Sequence, residues 1–159
     1  MHTLMAVIVI TIGIATSGCG AARSTRTTTP NVGPELTSAV VTFASGDHGK
    51  DAKSVAMVQL LKSNAEMSAQ ARSVGTKFDD HTTAAPMPLA MTAAFRRGDT
   101  DDSRLRVQLT PDGQDDWFTD VRLTLTFSDG SVQRFVWNDV RLDTGSPERE
   151  LSLAGARMN

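Results

Sequence analysis

An alternating segment interrupted by Asp129 and Gly130 constrains the fold of this chain more than any other feature. It reads VRLTLTFSDGSVQRFVW from Val121 to Trp137, with branched or aromatic residues at alternate positions on both sides of the interruption. Side chains that alternate in this way point to opposite faces of a β-strand. Asp-Gly is a preferred pair for the two-residue type I′ turn. The segment therefore predicts a β-hairpin with Asp129 and Gly130 as its loop.

A two-residue loop also predicts which residues face each other across this hairpin. Phe127 then lies opposite Val132, and Arg122 lies opposite Trp137. A guanidinium stacked on an exposed ring contributes about 0.5–1 kcal/mol. Arg122, Phe135 and Trp137 are therefore the candidate residues of a ligand-binding platform. Packing of the two aromatic side chains in the core is the favoured interpretation, and the ligand-binding platform is the alternative.

The rest of the domain also reads as short strands separated by turn residues. One segment, from about residue 54 to 72, has the composition of a helix, because it is rich in Ala, Met, Leu and Gln and lacks Gly and Pro. We predict instead a hairpin turning at residues 62–66. The predicted strands are Ala39–Ala44, Val55–Leu61, Met67–Val74, Leu89–Phe95, Arg104–Leu109, Val121–Phe127, Val132–Trp137 and Glu150–Leu153.

This pattern predicts an all-β fold, an antiparallel β-sandwich of seven or eight short strands over residues 36–159. Two resemblances refine the prediction. The phrases VVTFASGDHGKDAKSVAMV, GTKFDDHTTAAPMPL and LTPDGQDDWFTDVRLTLTFSDGS resemble a secreted bacterial β-sandwich module. The first phrase is also loosely similar to PLAT-type sandwiches, a resemblance that implies binding of lipid or protein partners.

The amino terminus predicts export. Residues 4–15 form an apolar run of about a dozen residues, too short for a membrane span of about 20 and typical of a signal peptide. Thr16, Ser17, Gly18 and Cys19 follow, and they resemble the lipobox of bacterial lipoproteins. The resemblance implies cleavage before Cys19 and acylation of its thiol. A signal peptide without lipidation and an uncleaved anchor are the alternatives.

Three regions follow from this interpretation. Residues 1–18 form the signal peptide, residues 19–35 carry the lipid and a flexible tether rich in Thr, Gly and Pro, and residues 36–159 form the domain. Several buried acyl chains make a stable anchor. Because Gly20 replaces the Asp that retains many lipoproteins at the inner membrane, the resemblance implies the outer membrane. The predicted location is therefore the cell envelope.

Charge and composition narrow the function classes. The 16 basic and 18 acidic residues nearly balance, which disfavours nucleic-acid binding. Cys19 is the single cysteine, so neither an intramolecular disulfide nor a cysteine-based metal site can form. His48 and His81 lie outside any recognisable catalytic motif, and no phosphate-binding loop or cofactor motif occurs. We therefore predict no catalytic residues and no cofactor.

Acidic loops leave one metal hypothesis open, because Ca²⁺ prefers several carboxylate and carbonyl oxygens. The candidate ligands are Asp47, Asp51, Asp112, Asp115 and Asp116. Aspartate is also common in turns, where its side chain bonds the local backbone. The leading prediction is thus a lipid-anchored, non-catalytic binding or structural module for an envelope protein, glycan or lipid headgroup. The alternative is a Ca²⁺-dependent envelope hydrolase or its accessory domain.

Overall fold

The computed structural model describes residues 33–158. The signal peptide, Cys19 and the tether as far as residue 32 lie outside the described residues, so the predictions for them stay predictions. Within residues 33–158 the only helical segment is a short 3₁₀ turn, Arg97–Asp102, and no helix is long and apolar enough to cross a membrane. Every strand pairing is antiparallel. The all-β prediction is confirmed.

Among the described residues, ten strands form two five-stranded sheets. Their bounds are β1 Leu36–Ser45, β2 Val55–Leu61, β3 Met67–Ser73, β4 Met87–Pro88, β5 Ala90–Met91, β6 Arg104–Thr110, β7 Asp116–Phe127, β8 Val132–Asp143, β9 Glu148–Ser152 and β10 Arg157–Met158. The first sheet has the order β10-β8-β7-β1-β4, and the second has the order β5-β3-β2-β6-β9. The edge strands of both sheets are therefore short. β4 and β5 form one margin of the sandwich, and β9 and β10 form the other.

Two leucines close the sandwich where the chain passes between the sheets. Leu89 lies between β4 and β5, is buried, and donates its N–H to Ala39 O over 2.9 Å. Leu153 lies between β9 and β10, is buried, and donates its N–H to Ser103 O over 3.0 Å. Each crossing places an apolar side chain over an open margin of the core.

The core follows directly from the alternation in the sequence. Every second residue is buried through β2, β6 and β7, and through β1 from Ala39 onward. At one end of the sandwich the rings of Phe43, Phe78 and Trp117 pack together, with centroids 4.8–5.8 Å apart. Trp117 Nε1 donates to Ser45 Oγ at 3.2 Å, so its polar atom is satisfied inside the core.

The two ends of the sandwich differ in what they carry. The entry end holds the start of β1 at Leu36, the turns at residues 62–66 and 128–131, and the 3₁₀ segment. The loop end holds the connections at residues 46–54, 74–86, 111–115 and 144–147. Most of the predicted functional residues lie near one of these two ends.

The hairpin of β7 and β8 exists, but its predicted loop type is wrong. Phe127 N–H donates to Ser131 O, and Gly130 N–H donates to Phe127 O, each over 2.9 Å. Gly130 has φ +79°, whereas Asp129 is not among the residues with positive φ. The loop is therefore three residues long, a β-turn closed by a left-handed glycine.

This longer loop moves the pairing by one residue. Val132 lies opposite Thr126, and Arg122 lies opposite Val136 instead of Trp137. A shift of one position exchanges the faces of one strand relative to the other. Phe135 therefore joins the buried side of the sheet, and Arg122 stays on the outer side.

A bulge restores the alternation farther along the same strand pair. Thr119 pairs with Val140 and Val121 pairs with Trp137, so β8 has one extra residue between these pairs. Asp139 takes the left-handed conformation there, with φ +56°, and its N–H donates to Asp120 Oδ1 at 3.1 Å. The bulge allows both halves of β8 to bury apolar side chains.

The other strand predictions have mixed outcomes. Val55–Leu61 matches β2, and the rival helix over residues 54–72 does not form, because the chain turns at residues 62–66 with Ala65 at φ +65°. Glu35 forms an isolated bridge with Arg96, at the predicted tether boundary. The predicted strand Leu89–Phe95 is reduced to Ala90–Met91, since the chain there crosses between the sheets.

Candidate functional site

The structure does not assemble Arg122, Phe135 and Trp137 into one platform. Phe135 is 2% exposed in the core, whereas Arg122 is exposed on the outer side of the same sheet. Trp137 is half-buried, stacks on Phe135 with centroids 6.1 Å apart, and donates its Nε1–H to Ser152 O at 3.1 Å. Trp137 therefore connects β8 to β9 and helps close one margin of the sandwich.

The outer side of the first sheet carries a different cluster, which we call the arginine face. It consists of Arg122, Val132, Arg134, Val136 and Met158. Arg122 lies opposite Val136, and Arg134 lies opposite Thr124 on one neighbour strand and Met158 on the other. Val132 and Met158 are 43% and 57% exposed. Within residues 33–158 neither arginine has an ion-pair partner.

Two arginines on the second sheet, Arg104 and Arg106, are neutralised, in contrast. Arg106 Nη2 lies 2.6 Å from Glu150 Oε1, and Arg106 Nε lies 3.2 Å from Glu148 Oε1. Arg104 Nε lies 3.0 Å from Glu150 Oε2. The hydrogen bond from Arg106 lowers the pKa of Glu150. The ion pairs between β6 and β9 therefore neutralise Arg104 and Arg106, whereas Arg122 and Arg134 lie side by side on the arginine face without such partners.

The five candidate calcium ligands are dispersed over the loop end. Asp116 pairs with Arg141, with Oδ2 and Nη2 3.1 Å apart, and Asp112 lies 3.8 Å from Lys53. Asp115 Oδ2 accepts from the N–H of Asp51 at 3.2 Å.

Asp47 Oδ1 lies 3.7 Å from His81 Nε2. The part of the chain that the structure describes contains no group of three or more acidic, His or Cys residues suited to a metal ion. In the structure Asp112 and Asp116 lie beside Lys53 and Arg141, and Asp115 accepts a backbone N–H.

A buried lysine lies among these acidic loops. The Lys50 side chain is fully buried, and its ammonium donates to the carbonyls of Asp51, Ser54 and Thr76 over 2.8, 2.7 and 2.5 Å. The ammonium also lies 5.0 Å from the centre of the Phe78 ring. Burial lowers the pKa of Lys50, while the carboxylates of Asp115 and Asp51 oppose that shift. The Lys50 ammonium thus supplies the positive charge at this position.

Gly49 brings the two loops close enough for Lys50 to reach these carbonyls. Lys50 and Phe78 exchange backbone hydrogen bonds of 2.9 Å in both directions. A Cβ on Gly49 would lie 2.0 Å from Phe78 O, so only glycine fits there. Gly49 N–H also donates to Asp80 Oδ1 at 2.6 Å. The sequence phrase containing Asp47, His48 and Gly49 is therefore explained by loop packing.

A concavity lies at the margin of the sandwich formed by β4 and β5, between β3 and the chain that leads into β4. This edge groove has a volume of about 580 Å³. Its lining comes from residues 72–74, 76–79 and 82–88. Val74 is 67% exposed beside it, and Met87 and Phe78 form part of its floor. Concavities of this size are typical of ligand sites.

One wall of the edge groove is an open strand edge. β5 pairs with β3 only at Ala69 and Gln70, and no other described strand lies beside residues 71–73 on that side. Thr92 N–H donates to Ser68 O, so Ser68 directs its backbone groups toward β5. Beyond the bulge at Ser68, Gln70 pairs with Ala90 in the same register, so its backbone groups also point toward β5. No register shift lies between Gln70 and Ser73, so Arg72 directs its N–H and C=O toward the groove.

The opposite wall does not offer the same backbone groups. Pro86 and Pro88 have no N–H, and β4 pairs with β1 at Val40 and Val41 on its other side. Prolines at a sheet margin prevent pairing with a further strand. A further strand can therefore pair with the β3 wall of the groove, whereas the β4 wall has few backbone N–H donors.

The residues of the edge groove were not among the sequence candidates. The open edge depends on where β5 ends, and that depends on the crossing at Leu89, which the strand prediction Leu89–Phe95 missed. Two signals were available in the sequence, namely the spaced prolines at 86 and 88 and the unbroken alternation through Ser73. Comparison with known proteins finds no matching family model and no similar curated protein.

Proposed function

We propose that this protein is a lipid-anchored, non-catalytic binding module of the cell envelope. In this proposal it captures an extended segment of a partner protein in the edge groove. The observation that carries the proposal is the open edge of β3 next to a concavity of about 580 Å³. An extended segment placed there would add a strand to the second sheet.

The chemistry of the groove indicates what such a segment contains. Main-chain hydrogen bonds to Arg72 would supply affinity without sequence preference, and alternate side chains would enter the groove. The floor and walls offer Val74, Met87 and two prolines, which suit small apolar side chains. Lys77 is paired with Asp79 at 2.7 Å, whereas Arg72 has no ion-pair partner among the described residues. A carboxylate on the segment would therefore meet the Arg72 guanidinium.

The predicted lipidation of Cys19 supports the envelope location. The domain starts within a few residues of the predicted tether boundary, since Glu35 already bonds to Arg96 and β1 begins at Leu36. A tether of residues 19–35 would reach at most about 60 Å when fully extended. The groove belongs to the loop end, opposite the end where the chain enters the domain. That placement keeps the groove accessible on an anchored protein.

A photocrosslinking experiment tests the proposal in intact cells. A photoreactive amino acid replaces Val74, whose side chain is exposed beside the groove. We expect adducts that map by mass spectrometry to one short, apolar segment of a partner. The added change Arg72→Pro should abolish these adducts, because proline removes the N–H that pairs with the segment while leaving the pairing with β2 intact.

Arg72→Ala is the matched control, since it keeps the backbone N–H and removes only the guanidinium. Adducts in this variant should persist at reduced yield. Thermal melting of each variant confirms that the domain still folds. Adducts that survive Arg72→Pro unchanged, or that scatter over unrelated proteins, would contradict strand addition.

A further inference from the structure

We infer that the arginine face rests on an anionic phospholipid surface when the protein is anchored. This inference rests on the lipid anchor in the proposed function and not on the edge groove. It assigns Arg122 and Arg134 to lipid phosphates and Val132, Val136 and Met158 to the boundary between headgroups and acyl chains. The ligand class is therefore an anionic phospholipid membrane.

The charges of the first sheet are separated along its strands. The cationic half lies toward the entry end, with Arg122 and Arg134 on neighbouring strands and Thr124 between Arg134 and β1. Toward the loop end the same side carries Asp116, Asp120 and Asp143, together with Arg141, which is paired with Asp116 and Asp143 at 3.1 Å. The half near the chain entry thus presents positive charge beside exposed apolar side chains. That combination is typical of surfaces that bind anionic membranes.

The point where the chain enters the domain places this half near the membrane. Leu36 pairs with Phe127, and Ser38 pairs with Thr126, which in turn pairs with Val132. The predicted tether therefore ends at the margin of the arginine face. An anchor joined at this point raises the local concentration of lipid and makes weak contacts effective.

The charges at the entry end favour an orientation in which the first sheet contacts the membrane and the tip of the entry end does not. Arg96 and Arg97 are paired with Glu35 and Asp129, at 2.6 and 3.2 Å. Asp101 and Asp102 are exposed there and lead into β6 of the second sheet. An anionic surface repels these two carboxylates, and it attracts the unpaired arginines of the first sheet.

Cysteine labelling of the purified full-length lipoprotein in vesicles tests the inference. Val132→Cys places a thiol on the arginine face, and Val74→Cys places a matched thiol at an exposed valine outside it. The probe is a charged maleimide added to phosphatidylcholine vesicles with or without phosphatidylglycerol. With phosphatidylglycerol we expect labelling at position 132 to slow by about tenfold or more, because two arginines favour the docked state about thirtyfold. Labelling at position 74 should not change.

Charge reversal and salt provide the controls. Arg122→Glu with Arg134→Glu should restore fast labelling at position 132, and Lys53→Glu, an exposed cation outside both the arginine face and the edge groove, should not. High salt should restore labelling because it screens the attraction. Equal labelling at position 132 in both kinds of vesicle would overturn the inference.

The same experiment also reports whether Cys19 is acylated. Cys19 of the wild-type protein resists the maleimide if it is acylated and reacts if it is free. A reactive Cys19 therefore shows failure of the proposed anchor, and with it the inference falls. An unreactive Cys19 with equal labelling at position 132 overturns the docking alone.

Discussion

Lys50 shows how one side chain organises the loop end of this domain. Its ammonium donates to three carbonyls from two different loops and lies 5.0 Å from the centre of the Phe78 ring. A buried charge is tolerated only when such partners replace its water. The carboxylates of Asp51 and Asp115 add favourable charge nearby. Lys50 thus joins two connections of the loop end through their backbone carbonyls.

Replacing Lys50 by methionine should destabilise the domain strongly. The change keeps the apolar stem but leaves three carbonyl oxygens without their donor, at about 1–3 kcal/mol for each buried group. We expect the free energy of unfolding to fall by about 3 kcal/mol or more, measured by urea denaturation. Lys53→Met is the matched control, because Lys53 is exposed with its partner Asp112 at 3.8 Å. A loss in Lys50→Met no larger than in Lys53→Met would refute the assigned role.

At the residue scale, the sequence identified notable side chains but did not predict on which face of the sheet each one lies. It singled out Arg122, which the structure leaves unpaired on an outer face, and also Phe135, which is in the core. Both assignments depended on the loop length of one hairpin. Asp-Gly suits both a two-residue loop and the last two positions of a three-residue loop. Only the hydrogen bond of Phe127 with Ser131 distinguishes the two.

The paired strands β6 and β9 show how a sheet margin is protected at the scale of an element. Arg104 and Arg106 on one strand face Glu148 and Glu150 on the other. β9 is the last strand of its sheet, and its charged side chains disfavour pairing with another molecule. The opposite margin lacks this protection at residues 71–73. The contrast between the two margins supports a binding role for β3.

The ladder also predicts a dependence of stability on pH. Because the Arg106 hydrogen bond lowers the pKa of Glu150 below 4.5, the ionised carboxylate stabilises the folded state. This contribution is fully present above the unfolded pKa and is lost as the pH falls through the lower folded pKa. The melting temperature of Glu150→Gln should therefore lie below that of the wild type at neutral pH. The difference should shrink as the pH decreases from about 6 to about 3.

Arg106→Gln provides the partner control for this prediction. It should show the same decrease at neutral pH and the same convergence in acid, and the double variant should lose less than the sum of the two single losses. A difference between Glu150→Gln and wild type that is constant over the whole pH range would contradict the assignment.

Most of the architecture at this scale could be predicted. The alternation of buried and exposed residues marked β2, and the polar turn at residues 62–66 correctly outweighed the helical composition around it. The margins could not be predicted, because β4, β5 and β10 have two residues each. Strands so short have no detectable periodicity, and they form because the chain crosses beside an existing edge.

At the scale of the whole molecule, the sandwich has one open strand edge beside a groove and one cationic outer face. The two surfaces belong to different sheets and different ends, so they can be used at the same time. A domain that rests on its first sheet would keep the edge of the second sheet free for a protein partner. The sequence predicted neither surface, since each is formed by residues brought together through long-range pairing.

The proposed lipid anchor on Cys19 is tested most directly by the partition of the protein between the membrane and soluble envelope fractions. We expect the wild-type protein in the membrane fraction, with its mature amino terminus at Cys19 and a mass increased by acyl chains. Cys19→Ser should move the protein to the soluble fraction, while Ser24→Ala in the tether should leave it membrane-bound. A Cys19→Ser protein that remains with the membranes, or a wild-type protein without acyl chains, would contradict the proposed anchor.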